Sequence, residues 1–227
     1  MKPTLGKKIT PWLCGLAILL AACNALATPV QPAPEATSIA TTTVAAAPQA
    51  ATSPTPVSTD SAQSQAPDCS APAAVTPALT EGPYFKANSP ERASLLEPGM
   101  AGTKLTLSGY VLTTDCQPVA GALLDFWQAD ANGQYDNSGY NLRGHQFSDQ
   151  NGRYQLETVV PGLYPGRTEH IHVKVNPPNG PVLTTQLFFP GVSQNDRDSI
   201  YNPALLLDIQ DTADGLSATF NFILASN

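Results

Sequence analysis

The chain has 227 residues and carries 18 acidic against 11 basic residues, a formal net charge of −7. An acidic chain without a basic patch argues against a nucleic acid or an anionic surface as partner. The length allows one domain of ordinary size together with a substantial stretch of chain outside it.

The first 22 residues have the three parts of a secretory signal: a lysine-rich start, a short apolar run and small residues before Cys23. The apolar run, 12–22, is too short to span a bilayer, which takes about 20 apolar residues. The sequence LAAC at 20–23 fits a bacterial lipoprotein cleavage site. We therefore expect residues 1–22 to be removed, Cys23 to be lipidated, and the protein to be exported and anchored to a membrane of the cell envelope. A plain signal peptide is the alternative.

Residues 23–67 consist almost entirely of Ala, Thr, Pro, Ser, Val and Gln. Glu35 and Asp60 are the only charges in this segment, and it contains no aromatic residue. Such a composition cannot bury enough apolar surface to offset the conformational entropy lost on folding. The sequence therefore predicts a disordered tether over 23–67, followed by a single folded domain over 68–227.

Two cysteines, Cys69 and Cys116, lie within the predicted domain. In an exported protein two such cysteines are expected to pair, since disulfides persist in oxidising compartments. We therefore predict a Cys69–Cys116 disulfide, with two buried free thiols as the alternative.

The domain shows no sustained helical period. Short β-rich runs recur instead, separated by turns rich in Gly, Pro, Asn and Asp. This pattern predicts an all-β domain, an antiparallel β-sandwich, with an irregular loop over 190–203. The predicted strands are 104–113, 122–128, 153–159, 170–176, 182–189 and 216–224.

The sequence His170-Ile171-His172 lies in one of these predicted strands. Residues two apart in a strand point to the same face, so the two imidazoles can converge on one metal ion. Zinc, copper and iron sites all use such pairs, so the pattern predicts a metal without choosing it. The remaining histidine of the mature chain, His145, is expected at the surface or behind the site.

Two tyrosines are candidates for the other ligands: Tyr135, which ends a turn, and Tyr164, which lies in a Pro/Gly-rich turn before the histidine strand. A tyrosine binds a metal well only as phenolate, which a hard trivalent cation favours. A tyrosine in a β protein is more often a core residue, so spacing alone leaves both roles open, and a carboxylate from elsewhere remains an alternative ligand.

Several motifs in order make the domain similar to the intradiol ring-cleavage dioxygenases, the family of catechol and protocatechuate dioxygenases. The resemblance runs from Thr80 to about Phe222. It implies the β-sandwich fold that the strand pattern also predicts. The motifs are TEGPYF (80–85), CQPVAGA (116–122), DFWQADANGQY (125–135), LRG (142–144), PGLYPGRTEHIH (161–172) and LTTQLFF (183–189).

The resemblance implies an enzyme with a non-haem Fe(III) cofactor that cleaves small aromatic diols with O₂ to cis,cis-muconate-type products. It implies that Arg167 stabilises negative charge on the bound ring, with Gln186 as its hydrogen-bonding helper, and that Tyr164 leaves the metal when substrate binds. The implied metal ligands are Tyr135, Tyr164, His170 and His172, and the implied pocket lining is Gly82, Pro83 and Tyr84.

The turn between Tyr164 and Arg167 is shorter than in the protocatechuate enzymes, so the family's substrate preference does not carry over. A cell-surface binding module that retains the sandwich and a metal without turnover is the alternative to an enzyme. Retention of all four implied ligands together with Arg167 and Gln186 favours the enzyme. The sequence indicates no oligomeric state.

Overall fold

The structure is a computed structural model that describes residues 69–225. The expected signal peptide, the lipidated Cys23 and the tether lie outside the described residues. Within them the chain forms nine strands and two short 3₁₀ turns. The strands are β1 (Lys104–Thr113), β2 (Leu123–Gln128), β3 (Arg143–Phe147), β4 (Arg153–Val159), β5 (His170–Asn176), β6 (Leu183–Phe188), β7 (Asp208–Thr212), β8 (Gly215–Thr219) and β9 (Phe222–Leu224).

The strands form two sheets. The first has the order β3-β2-β5-β6, with every neighbouring pair antiparallel. The second has the order β4-β1-β8-β7, with β9 pairing the far end of β1. Strand β1 runs parallel to both β8 and β9, so this sheet is mixed rather than purely antiparallel. The predicted all-β sandwich is confirmed, with that correction.

The core lies between the two sheets and follows from the alternation of apolar residues. In β1, Leu105, Leu107 and Val111 are fully buried, as the sequence predicts. In β5 the residues between the two histidines and after them point inward: Ile171, Val173 and Val175 have no exposed surface. The histidines therefore project from the opposite, outer face of the first sheet, where loops cover them.

Two strands were not predicted. Strand β3 reads RGHQF and β7 reads DIQDT, and neither shows apolar alternation. Each is the edge strand of its sheet, and β3 is bridged on its outer side by the loop residue Glu91. Backbone pairing places such strands, and their side chains carry little signal.

The predicted strand 216–224 is interrupted at Phe220 and Asn221, which separates β8 from β9. The hydroxyl of Tyr154 donates to the Phe220 carbonyl at 2.9 Å, and that carbonyl lies over Gly109 of β1, where a Cβ would be only 1.8 Å away. Tertiary contacts therefore break a segment whose own sequence is continuous with a strand.

Cys69 and Cys116 form the predicted disulfide, with 5.8 Å between their Cα atoms. The bond fastens the start of the described chain to the turn that follows β1. The irregular 190–203 loop is also confirmed, with one 3₁₀ turn at Asn195–Arg197 and a second beginning at Pro203. Within 69–225, no helix is long and apolar enough to cross a membrane.

Candidate metal centre

A row of four side chains crosses the outer face of the first sheet. Arg143, Trp127, His172 and Gln186 are directly opposite one another on β3, β2, β5 and β6. All four are almost completely buried. Side chains at directly opposed positions share one face of a sheet, so the antiparallel register alone assembles this row.

The two histidines of β5 converge as predicted. His170 and His172 are 4% and 3% exposed, and their Nε2 atoms lie 3.1 Å apart. The Nδ1 atom of His170 lies 2.6 Å from the carbonyl oxygen of Thr168. Because a carbonyl only accepts, Nδ1 carries the proton and Nε2 presents a lone pair towards His172.

Both imidazoles are neutral. Burial lowers the pKa of His170 to about 4, and burial together with neighbouring positive charge lowers the pKa of His172 well below its usual range. A neutral imidazole is the form that binds metals. The Nδ1 atom of His172 has no hydrogen-bond partner among the described residues, and its ring instead stacks on Trp127.

Tyr135 completes a cluster with the histidines. Its hydroxyl lies 3.2 Å from Nε2 of His170. Burial raises the pKa of this phenol, against the opposing effect of the positive charges of Arg167 and Arg143. The phenol is therefore neutral unless a stronger cation adjoins it, and a hard metal ion at the Nε2 atoms is such a cation.

Tyr164 lies against the same cluster through a third tyrosine. The hydroxyls of Tyr164 and Tyr84 are 2.8 Å apart, and the ring of Tyr84 stacks on Tyr135 with centroids 4.4 Å apart. The ring of Tyr164 meets that of Tyr135 edge-on at 6.0 Å. The hydrogen bond to Tyr164 is the main cause of the raised pKa of Tyr84. Three phenols thus line one side of the histidine pair.

Two glycines allow the Tyr135 and Tyr164 loops to touch. Gly133 has φ +77°, and a Cβ there would lie 2.0 Å from the carbonyl oxygen of Leu163. A Cβ on Gly162 would lie 2.4 Å from the carbonyl oxygen of Ala131. The backbones of the two tyrosine-bearing loops are therefore in direct contact, and this contact sets the spacing of the two phenols.

Arg143 fixes the Tyr135 loop and the segment that carries Tyr84. Its guanidinium donates to the carbonyl of Tyr84 at 2.6 Å and to the carbonyl of Asp136 through both Nε and Nη2. A buried guanidinium whose hydrogen bonds are made to backbone oxygens holds the chain rather than a ligand. These partners are carbonyl groups, which no side-chain pattern in the sequence reveals.

Gly82 lies against the metal site, whereas Pro83 faces solvent. A Cβ on Gly82, which has φ +72°, would be 3.3 Å from Cε1 of His172, so the glycine lies directly against that ring. Pro83 is exposed.

His145 lies apart from the cluster, where its Nδ1 atom is 3.1 Å from the Ser89 hydroxyl. That position agrees with the expectation that His145 lies at the surface or behind the site.

Arg167 and Gln186 meet beside the cluster. Arg167 Nη2 donates to Gln186 Oε1 at 2.5 Å, and Gln186 Nε2 donates to the Thr80 carbonyl. Arg167 Nε also forms a 2.9 Å ion pair with Asp198, a residue that the sequence did not single out. Arg167 and Tyr164 line an open cavity of about 230 Å³.

The donor set fits a hard, highly charged metal ion. Metal–nitrogen bonds of roughly 2.0–2.1 Å place neighbouring ligands about 3 Å apart, close to the separations of the Nε2 atoms and of Tyr135 Oη. Among residues 69–225 no group of three His, Cys, Asp or Glu side chains is arranged to hold a metal. The donors beside the histidines are phenols, which require a cation that stabilises phenolate.

Comparison with known proteins agrees with this geometry. A dioxygenase family model matches residues 80–226. The chain is 31% identical over 150 residues to a hydroxyquinol 1,2-dioxygenase of Nocardioides simplex, covering 56% of this chain and 51% of that protein. It is 29% identical over 182 residues to a 6-chlorohydroxyquinol 1,2-dioxygenase of Cupriavidus pinatubonensis, covering 69% of this chain and 64% of that protein. The chain thus spans about half to two thirds of the length of these relatives.

Solved structures extend the likeness. The dioxygenase domain of a dioxygenase carbohydrate-binding protein fusion from Streptomyces sp. SirexAA-E is 51% identical, with a TM-score of 0.66, over 68% of this chain and all of that one. A 3-chlorocatechol 1,2-dioxygenase from Rhodococcus opacus is 28% identical, with a TM-score of 0.63, over 67% of this chain and 73% of that one. Because the family match covers nearly the whole described domain, the chain belongs to the intradiol ring-cleavage dioxygenase family.

Proposed function

We propose that the protein is an Fe(III)-dependent intradiol dioxygenase that cleaves catechol-type rings with O₂. The observation that carries the proposal is the cluster of two buried neutral imidazoles, with Nε2 atoms 3.1 Å apart, beside the phenol of Tyr135. Two imidazoles and two phenolates favour ferric iron over zinc, because phenolate is a hard anionic ligand and Fe(III) a hard trivalent cation.

The proposed ligands are Tyr135, Tyr164, His170 and His172. When bound, ferric iron would chelate the two oxygens of the diol and draw electron density from the ring, which prepares the ring for O₂. Both atoms of O₂ enter the product, a cis,cis-muconate-type dicarboxylic acid, as the bond between the two hydroxylated carbons breaks.

The contact between Tyr164 and Tyr84 would assist the proposed release of Tyr164 from the metal when substrate binds. The Tyr84 hydroxyl is already 2.8 Å from that of Tyr164. If a bound diol displaced Tyr164 from a ferric ion held at this site, Tyr84 would remain its hydrogen-bond partner, so the Tyr164 oxygen would not be left unpaired in a partly buried site. Tyr84 would thereby lower the free-energy cost of releasing Tyr164 from the metal.

Arg167 supplies positive charge beside the reacting ring. Its charge acts on Tyr135, His170 and His172, each of whose pKa values it lowers, so the guanidinium lies within electrostatic range of all three. A fixed cation in a largely buried site stabilises negative charge that develops on the ring far better than water does. Gln186 holds one edge of the guanidinium.

The proposed substrates are small aromatic diols. Relatives are named hydroxyquinol and catechol 1,2-dioxygenases, so hydroxyquinol and catechol are the first compounds to test. The cavity next to Tyr164 and Arg167 opens to solvent, and the exposed Leu163 lies on its rim. We propose that this open mouth accepts substituted diols as well as the unsubstituted ring.

We also propose that the protein is exported and anchored through a lipid on Cys23. The support is the leader sequence together with the Cys69–Cys116 disulfide, since disulfides persist mainly outside the reducing cytoplasm. Incorporation of labelled palmitate by the full chain, but not by a Cys23→Ala variant, is the expected result. Equal labelling of both would contradict the anchor.

The ring-cleavage proposal is tested by visible absorption and oxygen uptake on iron-loaded protein. We expect a tyrosinate-to-iron charge-transfer band that shifts when catechol is added without oxygen, and oxygen uptake when oxygen is admitted. His172→Asn should abolish band and uptake, whereas the matched variant His145→Asn, outside the cluster, should keep both. Iron-loaded wild type without a visible band would contradict the ligand assignment.

A further inference from the structure

We propose that Asp198, in the loop between β6 and β7, is a positioning residue that holds the Arg167 guanidinium in its working orientation. This inference rests on the proposed function, because it concerns the arginine beside the reacting ring. Asp198 lies 31 residues beyond Arg167 in an irregular segment, and no local sequence pattern connects the two.

The Asp198 carboxylate is buried, and both of its oxygens accept hydrogen bonds. Its Oδ2 atom accepts from Arg167 Nε and from the Thr168 backbone N–H, each at 2.9 Å. Its Oδ1 atom accepts from the Ile200 backbone N–H at 2.9 Å, and the side chain is only 1% exposed. Burial opposes ionisation of Asp198, but these hydrogen bonds and the Arg167 charge outweigh it and keep the pKa below its usual value.

This arrangement leaves one edge of Arg167 available. Of the five guanidinium N–H groups, Nε–H is held by Asp198 and one Nη2–H by Gln186. The other three make no hydrogen bond to any residue within 69–225. Two fixed points define the plane of the guanidinium, so the three free N–H groups have fixed directions within that plane.

The loop also reaches the histidine strand. Thr168 donates its backbone N–H to Asp198 and its hydroxyl to Asn195 Oδ1 at 2.6 Å, while its carbonyl accepts from His170 Nδ1. Asn195 in turn donates to the Phe189 carbonyl at 2.9 Å. Asp198 and Asn195 thus both hold Thr168, which lies between Arg167 and the histidines. Of these two side chains, only that of Asp198 also contacts the guanidinium of Arg167.

The test compares iron-loaded Asp198→Asn and Asp198→Glu with Asp196→Asn, an exposed acid in the same loop. Asparagine has one side-chain oxygen where aspartate has two, so it loses the hydrogen bonds accepted by one carboxylate oxygen. Glutamate keeps the carboxylate but moves it by one methylene. We expect kcat to fall roughly 10- to 100-fold in both Asp198 variants, with KM within about threefold of wild type, because misplacing a catalytic group by about 1 Å costs on that order.

Two readouts separate positioning from general damage. Iron content and the charge-transfer band should be unchanged in Asp198→Asn, since Arg167 is not a proposed ligand and Asn195 still holds Thr168, whose carbonyl orients His170. In an Arg167→Ala background, adding Asp198→Asn should change kcat by less than about twofold, because a residue that acts through Arg167 has nothing left to position. Wild-type kcat in both Asp198 variants, or a fully additive loss in the double variant, would overturn the proposal.

Crystal structures of Asp198→Asn and Asp196→Asn keep the two proposals distinguishable. A displaced guanidinium in the first and an unchanged one in the second is the expected result. If wild type turns over none of the diols tested, the ring-cleavage proposal fails, and the guanidinium position still decides the role of Asp198. An unmoved Arg167 in Asp198→Asn would overturn the positioning role whatever the activity.

Discussion

The indole of Trp127 lies parallel to the imidazole of His172, with ring centroids 4.8 Å apart and an interplanar angle of 8°. The two residues are directly opposite each other on β2 and β5. His170 is oriented by a hydrogen bond from its Nδ1 to Thr168, but Nδ1 of His172 has no hydrogen-bond partner among the described residues. Ring stacking, with Gly82 on the nearby edge, therefore sets the orientation of His172.

Trp127→Ala should consequently weaken both the fold and the metal site. Truncation of a buried tryptophan costs roughly 3–5 kcal/mol, and the freed imidazole loses its fixed direction. We expect a lower free energy of unfolding and less bound iron per protein after reconstitution, while Trp127→Phe retains most of both. Phe147→Ala, at a residue that is 50% exposed, is the control and should change neither quantity. Full iron binding by Trp127→Ala would show that stacking is not what orients His172.

Gly133→Ala should separate the two tyrosine loops. The added Cβ would lie 2.0 Å from the Leu163 carbonyl oxygen, a contact that only backbone movement relieves. We expect loss or a strong shift of the tyrosinate-to-iron band, together with destabilisation measured by denaturant unfolding. Gly99→Ala is a matched control, because Gly99 has nearly the same φ, +78° against +77°, but nothing within 4 Å. Equal effects of both variants would mean that backbone conformation, and not the loop contact, is responsible.

The sequence predicted those parts of the site that depend on strand periodicity. His170 and His172 share a face because strand side chains alternate, and five of the six predicted strands have both ends within one residue of the strand in the structure. The antiparallel register then brings Trp127 and Gln186 to either side of His172. Tyr135 and Tyr164 were assigned through family resemblance, because no periodicity relates two loops that are 29 residues apart.

The sequence did not reveal interactions made by the backbone or across long loops. Asp198 meets Arg167 through the path of an irregular loop, and Arg143 binds carbonyl groups that every residue possesses. The parallel pairing of β1 with β8 and β9 was also missed, since short strands with turn signals favour antiparallel neighbours. Each of these features depends on tertiary geometry, which local propensity does not encode.

Reduction of the Cys69–Cys116 disulfide should destabilise the domain without altering the site. The bond closes a loop with a sequence separation of 47, for which the chain-entropy relation gives about 4 kcal/mol. We expect a lower denaturation midpoint in reductant and an unchanged charge-transfer band at low denaturant. A Cys69→Ser/Cys116→Ser double variant should be equally destabilised and insensitive to reductant. Loss of the band on mild reduction would instead tie the disulfide to the metal site.

Asp198 should make folding stability depend on pH in the acid range. Its pKa in the folded protein lies below the ordinary value of 3.8, because the hydrogen bonds from Thr168 and Ile200 and the charge of Arg167 outweigh the effect of burial. A carboxyl group with a depressed pKa binds protons more weakly when folded than when unfolded. Its contribution is therefore fully present above the unfolded pKa and is lost as the pH falls through the folded one.

The free energy of unfolding of apo wild type and apo Asp198→Asn, measured by denaturant titration at pH 7 and at pH 3, isolates this contribution. We expect wild type to be the more stable at pH 7 and the difference to shrink at pH 3, because asparagine does not titrate. Asp196→Asn, at an exposed position in the same loop, should track wild type at both values. A difference that stays constant between pH 7 and pH 3 would mean that Asp198 stabilises the loop through shape and not through its charge.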